Sequence, residues 1–302
     1  MSNEKKTEMQ EKKIDLGTVI ATVTKMPGVK VNREAFLKEQ FKDLSKEEIA
    51  CIVEKGPVDA GQSREALAKK ASRIIKERTA VSSAASLVAG LPGGMAVLAT
   101  LPADIVQFYA VALRMAQELV YLYGEKDLWC EATDNYEHVN NQLILYCGVM
   151  LGASCADATV KVLAAALAKQ ALNQLPKKAL TKTFYFPAIR ATLKFFGIKL
   201  TKSMFGKGVS KVVPILGGVV SGGITLASML PMGKRLAKVL DKAHFDYSEE
   251  DFEKDINIIL ELSEKEEEDV LAKIENAKAL LDEGVITEGE FLKIKEKLLS
   301  EI

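Results

Sequence analysis

The stretch LPADIVQFYAVALRMAQELVYLYG, residues 101–124, is the clearest helical segment of this chain. Its apolar side chains recur three and four positions apart, which is the spacing of one face of an α-helix. The same spacing continues along most of the 302 residues, with Leu, Ala, Lys, Glu and Met as the main components, whereas alternating β-branched runs are nearly absent. The sequence therefore predicts an all-α fold, a compact multi-helix body.

Four polar side chains, Asp104, Gln107, Arg114 and Glu118, interrupt this apolar helix. At 100° per residue they fall within about 80° of one another, on one face. Charges so placed can satisfy each other, so we expect a network inside the core that fixes the register of the helix. A second interpretation gives Asp104 or Arg114 a contact with the head group of a ligand. No nucleophile or base can be identified beside them, and no catalytic residue is predicted.

Two long uncharged runs lie at residues 80–103 and 212–233. Each is long enough to cross a hydrocarbon layer as one straight helix, but each is broken in the middle by Pro and Gly. We expect each run to form two short helices that pack tightly inside the protein; re-entrant or inducible insertion into a bilayer, or stable spanning, are the alternatives. The predicted hinge glycines are Gly90, Gly93, Gly94, Gly217, Gly218 and Gly222.

The order of these pieces resembles the EcsC family of bacterial proteins. The glycine-rich break, the helix at 101–124 and the segment VVPILGGVVSGGITLASMLPMGKRLAKVL at 212–240 carry the resemblance, which covers about residues 68–245. It implies an all-helical cytoplasmic protein without an established enzymatic activity, in a family named for an operon with an ABC transporter. The pattern of the family maps onto Asp104, Arg114, Gly124, Pro214, Gly217 and Gly218.

Charge is segregated along a chain whose formal net charge is zero. No acidic residue lies between Asp157 and Asp241, an interval that holds fourteen Lys and Arg residues. The final 57 residues reverse the sign, with nineteen Asp and Glu against seven Lys. A surface of one sign attracts the opposite sign, which here means anionic lipid, nucleic acid or the acidic tail of the protein itself.

The basic region interleaves lysines with aromatic residues, a mixture that suits a helix at the surface of an anionic membrane. A solvated basic face or a docking site for the acidic tail is the alternative. Nucleic acid is disfavoured, because Lys outnumbers Arg and no nucleic-acid-binding motif is present. The candidates to face a membrane are Lys177, Lys178, Lys182, Arg190, Lys194, Phe195, Phe196, Lys199, Lys202, Lys207 and Lys211.

The stretch AKALLDEGVITEGEFLKIKEKLL, residues 277–299, predicts a helical hairpin. Gly284 has the position of a left-handed C-cap, and Thr287 with Glu290 forms a capping box. The apolar stripe of the second helix consists of Phe291, Ile294 and Leu298. The stretch is similar to the short C-terminal domain known as SHOCT. A hairpin this small cannot bury a core alone, so we expect it to dock on another copy, on a partner protein or on its own body, with a solvated tail as the alternative.

Four segments are predicted: a disordered leader at 1–20, an EcsC-like helical domain at 21–247, an acidic helical linker at 248–274 and the SHOCT-like hairpin at 275–302. The linker combines dense acid with a helical apolar pattern. An acidic arm beside a basic body invites pairing between them. We therefore hypothesise that the tail restrains association of the basic region with membranes.

Motifs for catalysis or metal binding are missing from the sequence. The phosphate-binding pattern GxxxxGK[ST] and the nucleophile pattern GxSxG do not occur, and His138 and His244 are isolated. The four cysteines show no CxxC spacing, which argues against a zinc site or a disulfide scaffold. We predict no metal and no cofactor, and we expect the protein not to be an enzyme.

Two functions follow as expectations. The first is a membrane-peripheral helical adaptor, cytoplasmic and at the inner face of the membrane, that binds anionic lipid and a protein partner; the EcsC resemblance adds a link to an ABC transporter. The second is a soluble enzyme or small-ligand-binding protein with a polar pocket near Asp104 and Arg114.

Overall fold

The computed structural model describes residues 16–80, 103–129, 136–167, 182–205 and 222–299. All regular elements in these ranges are α-helices and none is a strand, so the all-α prediction is confirmed. The helices are α1 Leu16–Val23, α2 Arg33–Gln40, α3 Lys46–Lys55, α4 Arg64–Ala80, α5 Ala103–Leu122, α6 Tyr136–Leu151, α7 Ser154–Leu167, α8 Lys182–Phe205, α9 Gly222–Phe245, α10 Glu249–Asp282 and α11 Glu288–Leu299.

Local capping interactions set several helix ends. The hydroxyl of Ser45 accepts a hydrogen bond from the backbone N–H of Glu48, whose carboxylate accepts one in return from the backbone of Ser45, and α3 begins there. Thr287 and Glu290 form the same box in front of α11. Gly284, with φ of 69°, follows α10 in the left-handed conformation that the sequence predicts.

The main core is built around α5. Leu113, Met115 and Leu119 of this helix have no exposed surface, and α4, α6 and α9 pack against it. Burial of one such side chain stabilises the fold by about 1.5–3 kcal/mol. The packing holds the C-terminal end of α5 in place, where a polar cleft lies.

The long helix α10 joins the body to the C-terminal hairpin. Its first half packs on α7, where Phe252, Ile256 and Ile259 form a small apolar cluster with Val162. The helix runs without a break from Glu249 to Asp282. The predicted boundary between the acidic linker and the hairpin, at 274 and 275, therefore falls inside one continuous helix.

Several predicted features lie outside the described residues. These are residues 1–15 of the leader and the hinge glycines Gly90, Gly93, Gly94, Gly217 and Gly218. The predicted end of the leader at residue 20 is wrong. Leu16 and Ile20 belong to α1 and are buried, because the apolar face of this helix packs on α5 and α6.

Gly222 is the first residue of α9, so the uncharged run from 222 to 233 continues as one helix with the basic segment that follows. The other half of this run, at 212–221, lies outside the described residues. Within the described ranges, none of the helices has both the length and the apolar character that a membrane crossing requires.

Candidate functional site

A cleft of about 240 Å³ lies where the C-terminal end of α5 meets the end of α3 and the end of α9. Its lining comes from four parts of the chain that are distant in sequence. Residues 123–127 follow α5, side chains from 54–59 lie at the end of α3, Arg33 opens α2, and His244 closes α9. Most of these side chains are charged or polar, which makes the cleft a candidate binding site.

Two glycines bring the walls of the cleft together. Gly56 has φ of 91° and Gly124 has φ of 108°, both in the left-handed region that other residues rarely occupy. A Cβ atom at Gly56 would lie 2.9 Å from the Cα of Gly124, so the two backbones are in contact. A side chain at Gly56 would therefore be strained and would also force the walls apart.

Arg33 fixes the backbone beside the cleft. Its Nε donates to the carbonyl oxygen of Glu125 at 2.8 Å, and its Nη1 donates to the carbonyl oxygen of Val53, in the last turn of α3, at 2.6 Å. The guanidinium thus satisfies carbonyls that no helical N–H reaches. Desolvation by burial lowers the pKa of Arg33, and the nearby charge of Asp127 opposes this shift.

The carboxyl group of Glu125 is the most perturbed acid in the cleft. Desolvation raises its pKa to about 7, although Lys126 and Arg33 both favour the ionised form. No ion pair joins this carboxylate to a cation within the described residues. Close to neutral pH it therefore exists as a mixture of the protonated and ionised forms.

Aromatic rings form another wall. The imidazole of His244 stacks on the ring of Tyr123, with centroids 6.2 Å apart and planes inclined by 24°. Desolvation lowers the pKa of His244, while the charges of Asp59 and Asp241 act in the opposite direction. The imidazole is accordingly neutral at pH 7.

Asp127 is held at the rim by its neighbours. Its Oδ1 accepts hydrogen bonds from the hydroxyl of Tyr121 at 3.2 Å and from the backbone N–H of Trp129 at 3.1 Å. Both lone-pair directions of that oxygen are thus engaged within the turn that follows α5. The group shapes the rim of the cleft and is less available to a ligand than Glu125.

The perturbed pKa values of Glu125 and His244 in one concave site are typical of binding and catalytic centres. In the described parts of the chain, no three or more His, Cys, Asp and Glu side chains are grouped so that they could hold a metal ion. What the arrangement offers chemically is recognition of a small polar molecule by a desolvated carboxyl group beside neutral rings.

The polar face predicted on α5 contains a cluster of ionised side chains. Arg114 and Glu118 come from α5 itself, and Arg78 comes from α4. The carboxylate of Glu118, which is 1% exposed, accepts hydrogen bonds from Nε of Arg78 at 2.6 Å and from its Nη2 at 2.5 Å. Nε of Arg114 lies 3.3 Å from the same carboxylate, and its Nη1 donates to the carbonyl of Gly28. Two guanidinium groups of α4 and α5 thus share one buried carboxylate.

The other two residues of that face, Asp104 and Gln107, are not part of this cluster as the structure describes it. Gln107 is partly buried on α5, and the side chain of Asp104 lies outside the described part of the structure. The pocket predicted near Asp104 and Arg114 does not coincide with the described cleft. Tyr123 lies nine residues beyond Arg114, which is about 13 Å along the helix.

Gln117 is a buried polar hub that the sequence does not reveal. Its Oε1 accepts from the indole Nε1 of Trp129 at 2.7 Å and from the backbone N–H of Val31 at 3.1 Å, while its Nε2 donates to the carbonyl of Val29 at 3.0 Å. These bonds tie the segment between α1 and α2 to the turn that carries the cleft. Gln117 has the role of a structural clamp behind the site.

The described part of the basic region faces the acidic helix. Nε of Arg190 lies 3.5 Å from Oε1 of Glu266 on α10. The pKa of Asp269 is lowered chiefly by its hydrogen bond from Lys273, and the charge of Lys194 adds to this effect. Of the other candidates, Lys182, Lys199 and Lys202 belong to α8 with side chains outside the described part, and Lys177, Lys178, Lys207 and Lys211 lie wholly outside it.

The prediction that Phe195 and Phe196 face a membrane is wrong. Phe196 is 3% exposed, and Phe195 is partly buried against the main core. Their rings meet edge to face with centroids 5.7 Å apart. Because α8 packs against both α6 and α7, these aromatic side chains point into the protein.

Ion pairs also anchor the beginning of α10. Nζ of Lys161 lies 2.8 Å from Oδ2 of Asp255, which accepts a further hydrogen bond from the hydroxyl of Tyr247 at 2.9 Å. Nζ of Lys242 lies 2.6 Å from Oδ1 of Asp251. Cations of α7 and α9 are thus paired with acids of α10.

The hairpin of α10 and α11 leaves apolar surface in solvent. Phe291 and Leu298 are partly buried, Ile294 is exposed, and no residue of α11 is fully buried. Leu292 and Leu299, seven positions apart and so on one face of α11, are 56% and 44% exposed. This stripe is a candidate protein interface.

Comparison of the chain with protein-family models, with curated proteins and with solved structures finds no match.

Proposed function

We propose that this protein is a non-catalytic helical adaptor whose C-terminal hairpin binds a partner protein and whose basic region binds anionic lipid at the inner face of the membrane. One observation carries the proposal. Five of the eight large apolar side chains left exposed in the described residues lie in the hairpin at 275–302, namely Leu280, Val285, Leu292, Ile294 and Leu299. Such a concentration on one small element is typical of an interaction surface.

Charge defines the kind of partner that fits the hairpin. The hairpin at 275–302 holds seven acids against four lysines, so the apolar stripe belongs to an element of net negative charge. An acidic partner would be repelled, and a second hairpin of the same charge would be repelled as well. The surface therefore fits a protein segment with an apolar face flanked by Lys and Arg.

Replacement of both Leu292 and Leu299 by serine is expected to weaken binding of a fluorescein-labelled Leu/Lys amphipathic helical peptide by at least about tenfold. Each leucine is half exposed before binding and loses roughly 1 kcal/mol of burial on substitution. Fluorescence anisotropy of the peptide against the full chain measures the effect.

Leu260→Ser is the matched control, because Leu260 is an exposed leucine of α10 outside the hairpin. It should leave the affinity unchanged. Equal weakening by Leu260→Ser, or equal binding of a Leu/Glu peptide with the same apolar face, would contradict an interface on the hairpin.

The lipid arm of the proposal depends on the contact between α8 and α10. Glu266 forms an ion pair with Arg190, and the charge of Lys194 acts on Asp269. An anionic membrane competes for the same cations. Deletion of α10 would test this poorly, because it would also uncover Val162 and the apolar cluster around it.

Glu266→Gln combined with Asp269→Asn is expected to increase flotation with phosphatidylglycerol-containing vesicles about fivefold at low salt, and less at high salt. The first substitution frees Arg190, and the second removes an acid whose charge acts on Lys194. Each basic residue near an anionic surface contributes about 1 kcal/mol, reduced here by partial exposure and by the pairing of Asp269 with Lys273. The readout is the fraction of protein that floats at two salt concentrations, with neutral phosphatidylcholine vesicles as the baseline.

Glu264→Gln combined with Glu267→Gln removes the same charge from the exposed side of α10 and serves as the control. An equal increase in both double variants would show that only net charge matters and that α10 does not mask α8. Flotation that is absent in every variant would remove the lipid arm altogether.

A further inference from the structure

We propose that the cleft at the end of α5 binds a small molecule that carries an ammonium group, with the carboxylate of Glu125 as its counter-ion. This inference is independent of the adaptor proposal, since it uses none of the residues of α10 or α11.

The charges that line the cleft are unbalanced. The cations are Arg33, Lys55 and Lys126. The carboxylates are Glu54, Asp59, Glu125 and Asp127. No two of these side chains, nor any of them with another described residue, form an ion pair within 4.0 Å. With the imidazole of His244 neutral and Glu125 ionised, acids exceed bases by one.

The existing hydrogen bonds decide which charge is left for a ligand. Arg33 is engaged by two backbone carbonyls, and Asp127 is engaged by a hydroxyl and a backbone N–H. Lys55 and Lys126 are exposed at the rim, where water solvates them. The carboxylate of Glu125 accepts one backbone hydrogen bond, from Lys126, and has no ion-pair partner among the described residues. It therefore keeps acceptor positions for a ligand, and the interior of the cleft favours a cation over an anion.

The volume of the cleft and the residues that line it limit the size and polarity of the rest of the ligand. A volume of about 240 Å³ is below the roughly 300–1,000 Å³ of pockets for drug-sized molecules. Val58 and the ring of Tyr123 supply apolar surface beside the polar groups. The site therefore takes a short carbon chain or ring attached to an ammonium group, rather than a nucleotide or a metal complex.

Three probes of equal size separate the possibilities: n-butylammonium, n-butyrate and 1-butanol. Amide chemical shifts of Gly124, Glu125 and Lys126 are followed by NMR of the full chain during titration of each probe. We expect saturable shifts with n-butylammonium alone. Glu125→Gln should weaken its binding at least tenfold, Glu125→Asp should retain part of the affinity, and Glu54→Gln at the rim should have little effect.

The pH dependence in the wild-type chain is a second readout that needs no variant. The ligand requires the ionised form of Glu125, so the affinity for n-butylammonium should fall as the pH is lowered below 7. The charged or titratable groups that interact with this carboxyl are Arg33, Lys126 and Tyr146, and His244 lines the same cleft. Amide shifts of the same residues without ligand, recorded at each pH, serve as the reference.

Equal or stronger binding of n-butyrate would overturn the proposal, and so would shifts of the same size in Glu125→Gln. Shifts confined to the acidic face of α10, with none at Gly124 to Lys126, would show that the ammonium ion binds only through unspecific attraction to the tail, and would also overturn it.

Discussion

Glu118→Gln is expected to lower the free energy of unfolding by about 3 kcal/mol, the lower end of what breaking a buried ion pair costs. The carboxylate of Glu118 is buried and accepts a two-fold hydrogen bond from Arg78 while lying beside Arg114. Glutamine keeps the shape but leaves two guanidinium groups without their counter-charge. Urea denaturation followed by circular dichroism measures the change as a lower midpoint at an unchanged slope.

The surface pair of Arg73 and Glu77 provides the comparison. These side chains are more than half exposed and 3.6 Å apart, so Glu77→Gln should change the stability by no more than about 0.5 kcal/mol. Adding Arg78→Gln to Glu118→Gln should recover part of the loss, because it removes one of the uncompensated charges. If Glu118→Gln were as mild as Glu77→Gln, the cluster would not be a stabilising element.

Glu125→Gln is expected to stabilise the protein by about 3 kcal/mol at pH 8 and by less than about 1 kcal/mol at pH 5. The pKa of Glu125 is raised from 4.5 to about 7 in the folded state. A raised pKa means that the group favours folding when protonated, below about pH 4.5, and that this contribution is lost as the pH rises through 7. Glutamine cannot ionise, so the variant escapes the loss.

Thermal or urea unfolding of both proteins at pH 5, 6, 7 and 8 measures this difference directly. The lowered pKa of His244 affects wild type and variant alike, and it cancels when the two are subtracted. Glu54→Gln, at the exposed rim of the same cleft, should show no such divergence with pH. A wild type that is more stable than Glu125→Gln at pH 8 would show that the carboxylate is satisfied in the folded protein.

Features that depend on neighbours in the sequence could be predicted. The capping boxes at Ser45 and Thr287 and the C-cap at Gly284 need only residues within one helical turn. The contact between Arg114 and Glu118 is likewise a pair four positions apart. The all-α architecture follows from the same short-range periodicity.

Features that depend on tertiary packing could not be predicted. Arg78 reaches Glu118 across forty positions of sequence, and Arg33 reaches Glu125 across ninety-two. His244 looked isolated because its partner, Tyr123, lies in the turn after α5, far away in sequence. The one local signal for the cleft was the Tyr-Gly pair that ends the helix at 101–124, since Gly124 has to adopt a positive φ there.

The orientation of α8 shows why a charge pattern does not predict which face of a helix is buried. Aromatic and basic residues alternate along this helix without a single polar side, so the sequence does not specify which face is buried. The structure buries Phe196 and pairs Arg190 with the neighbouring helix. Segregation of charge left an acidic helix beside the basic one as one of several alternatives, and it carried no information about the rotation of α8 about its axis.

The continuity of α10 has a mechanical consequence. Its 34 residues make a rod about 51 Å long, hydrogen-bonded from end to end. A force applied to α11 is transmitted along this helix to the ion pair of Asp255 and Lys161 near its N-terminal end. The ion pair of Glu266 and Arg190 supports the helix between these two points. A flexible linker would absorb the same force by bending, whereas a continuous helix transmits it as torque on the buried ion pair.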